Sequence, residues 1–124
     1  MPRNKLPFDY RLNAGIFIAG AVTGKVSIDS SYDVVIDTTL DGNITTSGFC
    51  EIAENGDFTG AIISRSITIY GKTNGENTGF ERIDVKKSAY LTGRYQTPNI
   101  SLESGSIVDA RILPLHQDQG FDQA

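Results

Sequence analysis

The sequence predicts an all-β fold, a single-stranded parallel β-helix (a β-solenoid) of about six three-sided coils. Three observations point there. Two apolar residues separated by one recur along the chain at successive offsets of 18, 16, 17, 16 and 17 residues. Each pair is followed by a second motif, an apolar–x–Gly–x–apolar triplet. Finally, 13 glycines, 4 prolines, no tryptophan and many Val, Ile and Thr suit short strands joined by tight turns. Strands of about 5–6 residues fit roughly three times into such a period, which is too short for a strand–helix unit. Each period is therefore one coil, and stacked coils place equivalent strands side by side in parallel register.

The coils follow in order. The first holds Ile16/Ile18 and Val22-Gly24-Val26, the second Val34/Ile36 and Leu40-Gly42-Ile44, the third Cys50/Ile52 and Phe58-Gly60-Ile62. The fourth holds Ile67/Ile69 and a polar variant, Thr73-Gly75-Asn77. The fifth holds Ile83/Val85 and Leu91-Gly93-Tyr95, the sixth Ile100/Leu102 and Val108-Ala110-Ile112. Of the eighteen residues between these positions only Phe17, Val35 and Ala61 are apolar, the period-2 alternation of half-buried strands. The central glycines are expected to leave room where a triangular interior is narrow, with Ala110 as the substitute in the last coil. Pro98 precedes the last pair and Pro114 follows the last triplet, where the ladder is expected to end. Coil lengths of 16 to 18 argue against the stricter hexapeptide left-handed helix. The domain is thus expected at residues 14–112, with a flexible arm at 1–13 and a flexible tail at 113–124.

Charge and length exclude several classes of function. No apolar run approaches the ~18 residues of a membrane-spanning helix. The chain carries 11 basic and 15 acidic side chains, which argues against a broad nucleic-acid surface. The arm is the basic exception, with Arg3, Lys5 and Arg11 against Asp9. Residues 14–22 could pass for the apolar core of a secretion signal, but they are short, contain Gly15 and Gly20, and fall in phase with the repeat.

Catalytic chemistry finds little support. The single histidine, His116, lies beyond the last coil, so neither a serine–histidine–aspartate triad nor a histidine metal set is expected. Gly71-Lys72-Thr73 ends like a phosphate loop, but Ser66 stands where that motif needs glycine and no helix pattern follows. Cys50 falls on an inward ladder opposite Val34 and Ile67, the place of a buried, inert thiol. Asp37/Asp41 and Glu51/Glu54 read as a solvated face. No cofactor and no metal site is implied.

Several strings in order carry a family resemblance. Val35-Ile36-Asp37, Leu40-Asp41-Gly42-Asn43-Ile44, Ile67-Thr68-Ile69-Tyr70-Gly71, Ile83-Asp84-Val85-Lys86-Lys87, Leu91-Thr92-Gly93, Thr97-Pro98 and Val108-Asp109-Ala110-Arg111-Ile112 together resemble a bactofilin over about residues 16–112. The resemblance implies a right-handed, three-sided β-helix that polymerises end to end without nucleotide. It implies a bacterial cytoskeletal scaffold for cell-wall or other client proteins, cytoplasmic and in many members membrane-bound through a short N-terminal segment. Val108 stands where many members carry a phenylalanine.

A solenoid also has two open ends, and unpaired strand edges above an apolar interior favour stacking. The expected interfaces are Ile16, Ile18, Val22 and Val26 at one end, and Ile100, Leu102, Ile107, Val108 and Ile112 at the other. The partner is then a second copy of the chain; the alternative is that the tails fold back as caps. Arg3, Lys5, Leu6, Phe8 and Arg11 are expected to touch an anionic leaflet weakly, or else to form an ordinary arm or a cap. The exposed strand residues, mixed Thr, Asp, Lys and Asn, predict no aromatic groove. The competing readings are a left-handed β-helix acyltransferase, which lacks its histidine here, and a β-solenoid module of a surface or phage spike.

Overall fold

The computed structural model describes residues 15–22 and 24–115. Ten strands run in chain order: β1 (Ile16–Ala19), β2 (Lys25–Ser30), β3 (Val34–Asp37), β4 (Thr39–Thr46), β5 (Phe49–Ile52), β6 (Asp57–Ile69), β7 (Lys72–Val85), β8 (Tyr90–Thr97), β9 (Ile100–Leu102) and β10 (Ile107–Pro114). Every pairing is parallel, and no helix occurs among the described residues. The pair motifs stack as one face, in register from Ile16 through Val34, Cys50, Ile67 and Ile83 to Ile100. The triplet motifs stack likewise, from β2 through β4, β6, β7 and β8 to β10. The chain is a parallel β-solenoid of about six turns.

Alternation fixes what the interior contains. Val34, Ile36, Ile52, Phe58, Ile62, Ile67, Ile69, Ile83, Val85, Leu91 and Tyr95 form one continuous core. Each fully buried Val, Leu, Ile or Phe side chain contributes about 1.5–3 kcal/mol relative to exposure, which holds the register of each coil on the next. The turn after the first face comes in two lengths. Four-residue turns close through Gly56 N–H to the Ala53 carbonyl (2.8 Å), Ala89 to Lys86 (2.9 Å) and Ser106 to Glu103 (3.1 Å). The second and fourth coils pass this corner two residues sooner, which accounts for much of the uneven period.

The glycine column has a different cause from the one expected. Gly42, Gly60, Gly75 and Gly93 stack in register at a corner of the coil. Gly60 has φ 137°, and a Cβ there would stand 1.8 Å from the Gly42 carbonyl oxygen, along the axis rather than into the interior. The constraint is therefore backbone against backbone between coils. Ala110 meets it in the last coil without a positive φ.

The first coil also departs from the expected motif. Val26 pairs with Gly42 and Ile28 with Ile44, so the triplet in register is Gly24-Val26-Ile28, two residues later than Val22-Gly24-Val26. Gly20 and Gly24, both at φ 85°, take up the extra length before β2. At the other end the strand outlasts the expected boundary at 112. β10 reaches Pro114, opposite Thr97, and the Leu115 N–H donates to the Thr97 carbonyl at 3.1 Å. Alternation turns the nitrogen of Pro114 toward the open end, where its missing N–H breaks no ladder bond.

The polar fourth coil is covered on both sides, by Phe58 and Ile62 below and Leu91 and Tyr95 above. Thr73 and Tyr95 bond through their hydroxyls, and the Tyr95 hydroxyl also reaches the carbonyls of Thr92 (2.8 Å) and Thr73 (3.0 Å). Asn77, 1% exposed, has no partner for either side-chain polar atom.

Candidate functional site

Among the described residues an inner coil is covered above and below, an end coil on one side only. Val34, Ile36, Ile83, Val85 and Leu91 are all 0% exposed. Their ladder partners at the ends, Ile16, Ile18, Ile100 and Val108, are half-buried, and Leu102 is 49% exposed. The backbone repeats the pattern. Among the described residues, β1 and β2 at one end, and β9 and β10 at the other, each have a neighbouring strand on one side only. Both ends thus present an apolar ladder framed by strand edges.

The N-terminal ladder is Ile16, Ile18, Val26 and Ile28, all half-buried against the core. Val22 joins them from the segment before β2 rather than from a strand. Ile28 was outside the motif-based set because the first triplet is displaced. The signal that finds it is continued alternation along Lys25–Ser30, where Val26, Ile28 and Ser30 turn inward. At the C-terminal end Ile100, Leu102, Val108 and Ile112 line up with Ala110. Ile107 does not join them: it lies opposite Tyr90 on the lateral surface and is 56% exposed. Glu103 is held down to the coil beneath, accepting from the Lys87 N–H (3.0 Å) and lying 3.7 Å from Lys86 Nζ. It leaves the apolar ladder open.

The side chains that carry chemistry are placed for structure. The Cys50 thiol is buried between Val34 and Ile67, and burial, with the Glu51 carboxylate as a smaller cause, pushes its pKa up to about 12. The Tyr95 phenol is likewise raised to about 12, by burial, against the lowering effect of its bonds to Thr73 and Thr92. Thr73 is in the core with its hydroxyl on Tyr95, so Gly71-Lys72-Thr73 presents no phosphate-loop hydroxyl. Asp41 and Glu54 are exposed, Asp37 and Glu51 half-buried. Among the described residues no group of three or more His, Cys, Asp or Glu is placed to hold a metal ion, and no helix is long and apolar enough to cross a membrane. His116 and the expected membrane contacts Arg3, Lys5, Leu6, Phe8 and Arg11 lie outside the described residues.

One expectation about the surface is corrected. Most outward strand positions are polar, but the corner between the second and first faces gathers Tyr32, Phe49, Ile63 and Phe80, exposed by 52%, 48%, 40% and 47%. The Arg65 guanidinium lies 5.0 Å from the centroid of the Phe49 ring. These residues stand far apart in sequence and outside the pair and triplet positions, so only the stacking of coils assembles them.

A family model described as Bactofilin, polymer-forming cytoskeletal, matches residues 16–112. No curated protein and no solved structure matches the chain. The matched span coincides with the six stacked coils, and the chain belongs to the bactofilin family of polymer-forming cytoskeletal proteins.

Proposed function

We propose that this protein is a cytoplasmic scaffold whose subunits stack end to end into filaments without nucleotide and so position client proteins. The observation that carries this reading is the pair of terminal ladders, half-exposed at the ends of the described solenoid and fully buried one coil inward. Stacking a second subunit pairs the edge strands, at about 0.5–1.5 kcal/mol net for each hydrogen bond. It also covers side chains such as Leu102, whose full burial is worth about 1.5–3 kcal/mol. Ile16, Ile18, Val22, Val26 and Ile28 form one interface; Ile100, Leu102, Val108 and Ile112 form the other. Ile107 borders the second from the side.

The arm gives the scaffold a weak hold on the inner face of the cytoplasmic membrane. Arg3, Lys5 and Arg11 contribute about 1 kcal/mol each near an anionic leaflet, while Leu6 and Phe8 offer little insertion. A filament multiplies that hold by avidity.

One sedimentation series tests both parts. Purified protein is spun alone, with ATP or GTP, and with anionic phosphatidylglycerol vesicles, beside a variant lacking residues 2–11. Polymer should pellet equally with and without nucleotide, and the deletion should lower vesicle association. Strict nucleotide dependence overturns the assembly reading; unchanged vesicle binding removes the membrane role.

A further inference from the structure

The aromatic corner is a built groove rather than a scatter of exposed side chains. In the third coil Ser64, Arg65 and Ser66 turn the corner, whereas the fourth uses Gly79 through Arg82, one residue more. The longer turn carries Phe80 and Glu81 outward as a wall. Below it the outward column Asp29, Thr45, Ile63 forms a floor in strict register. Together with Arg65 they enclose a groove of about 670 Å³ spanning the first four coils. Phe49, the first residue of β5, lies next to it under the Arg65 guanidinium, and Tyr32 follows the lining residue Ser31.

The chain enters the solenoid at this same corner. The Ile16 N–H donates to the Asp33 carbonyl at 2.8 Å, which sets Gly15 directly beneath Tyr32 and Asp33. The described chain thus begins beside the groove, with fourteen residues preceding Gly15 in the sequence. Their sequence alternates: Leu6, Phe8, Tyr10 and Leu12 fall on one side of an extended segment, with Lys5, Asp9 and Arg11 on the other. From the first coil to the fourth is about 15 Å at ~4.8 Å per strand. An extended segment at ~3.3 Å per residue crosses that in about five residues, well within reach. Charge agrees as well. The arm carries Arg3, Lys5 and Arg11 against Asp9, and the lining of the groove carries Asp29 and Glu81 against Arg65.

We propose that the N-terminal arm docks across this groove of its own chain, setting Leu6, Phe8 and Tyr10 against Ile63 and Phe80, while the basic side chains on its outer side reach the rim at Glu81. The docked arm shields the apolar corner from lateral association of neighbouring filaments. A leaflet competes for the same residues, so membrane contact requires the arm to leave the groove.

Tryptic cleavage after Arg3, Lys5 and Arg11, followed by mass spectrometry of the intact chain, tests this directly. The variant Ile63→Thr/Phe80→Ser removes two groove contacts and continues the Thr45–Thr78 column with a strand-forming residue; circular dichroism confirms that it folds. Cleavage in the arm should be at least tenfold slower in the wild-type chain than in this variant, and Phe8→Ser, which leaves the solenoid untouched, should release the same protection. Equal rates in all three chains overturn docking and leave end-to-end assembly unaffected. Protection that disappears on dilution below the concentration of assembly also overturns it, and assigns the groove to the arm of a second copy.

Discussion

Asn77 and Thr73 occupy equivalent polar positions in the fourth coil, and the sequence treats them alike. The fold separates them. Tyr95, 22 residues further on, brings its hydroxyl to Thr73, while nothing reaches the amide of Asn77. A buried polar group without a partner costs about 1–3 kcal/mol, and here both donor and acceptor lack one. Asn77→Val removes both, suits a strand and adds little volume between Ile62 and Tyr95. It should stabilise the chain by about 1–3 kcal/mol, raising the thermal midpoint by several degrees. A circular dichroism melt checks this, and a lowered midpoint would mean that the amide has a bonding role in the core. Apolar ladder positions were legible residue by residue from alternation alone. Which polar residue finds a partner was not, because the partner comes from the next coil.

Strands repeat and corners do not, and legibility followed that division. From Val34 to Leu102 the pair register was readable, because each inward side chain rests on an equivalent one in the next coil. The first triplet misled, since Val22-Gly24-Val26 imitates the motif while Gly24 serves the corner that precedes β2. The same blindness to corners hid Tyr32, Phe49 and Phe80. Terminal and central elements should also differ in what they tolerate. Val108 sits on Leu91 in the last coil, half-buried, where an arginine can lay its stem along the ladder and keep its charge in water. Stacking would trap that charge between two apolar ladders, at a cost of several kcal/mol. Val108→Arg should keep its β-rich spectrum and stop growth at that end, leaving at most dimers joined through the N-terminal coils. Ile69, 0% exposed and covered by both Ile52 and Val85, offers no such escape. Ile69→Arg should unfold the chain, since the same penalty weighs against a typical total stability of about 5–15 kcal/mol. Long Val108→Arg filaments by negative-stain microscopy would exclude the C-terminal ladder as an interface.

At the scale of the whole molecule the solenoid is a short stack with an apolar ladder at each end. Six coils at about 4.7–4.9 Å apiece give a subunit ~28–29 Å tall. If its ends meet edge to edge, the β-ladder continues across every subunit boundary. A filament is then one uninterrupted β-structure wrapped around an apolar interior. Electron diffraction or averaged images of aligned filaments measure this directly. End-to-end stacking predicts a strong axial reflection near 4.8 Å together with a subunit spacing of ~28–29 Å along the axis. Filaments whose ~4.8 Å reflection lies off the axis, or whose subunits repeat at the width of the solenoid, would be built side by side and would contradict assembly through the ends.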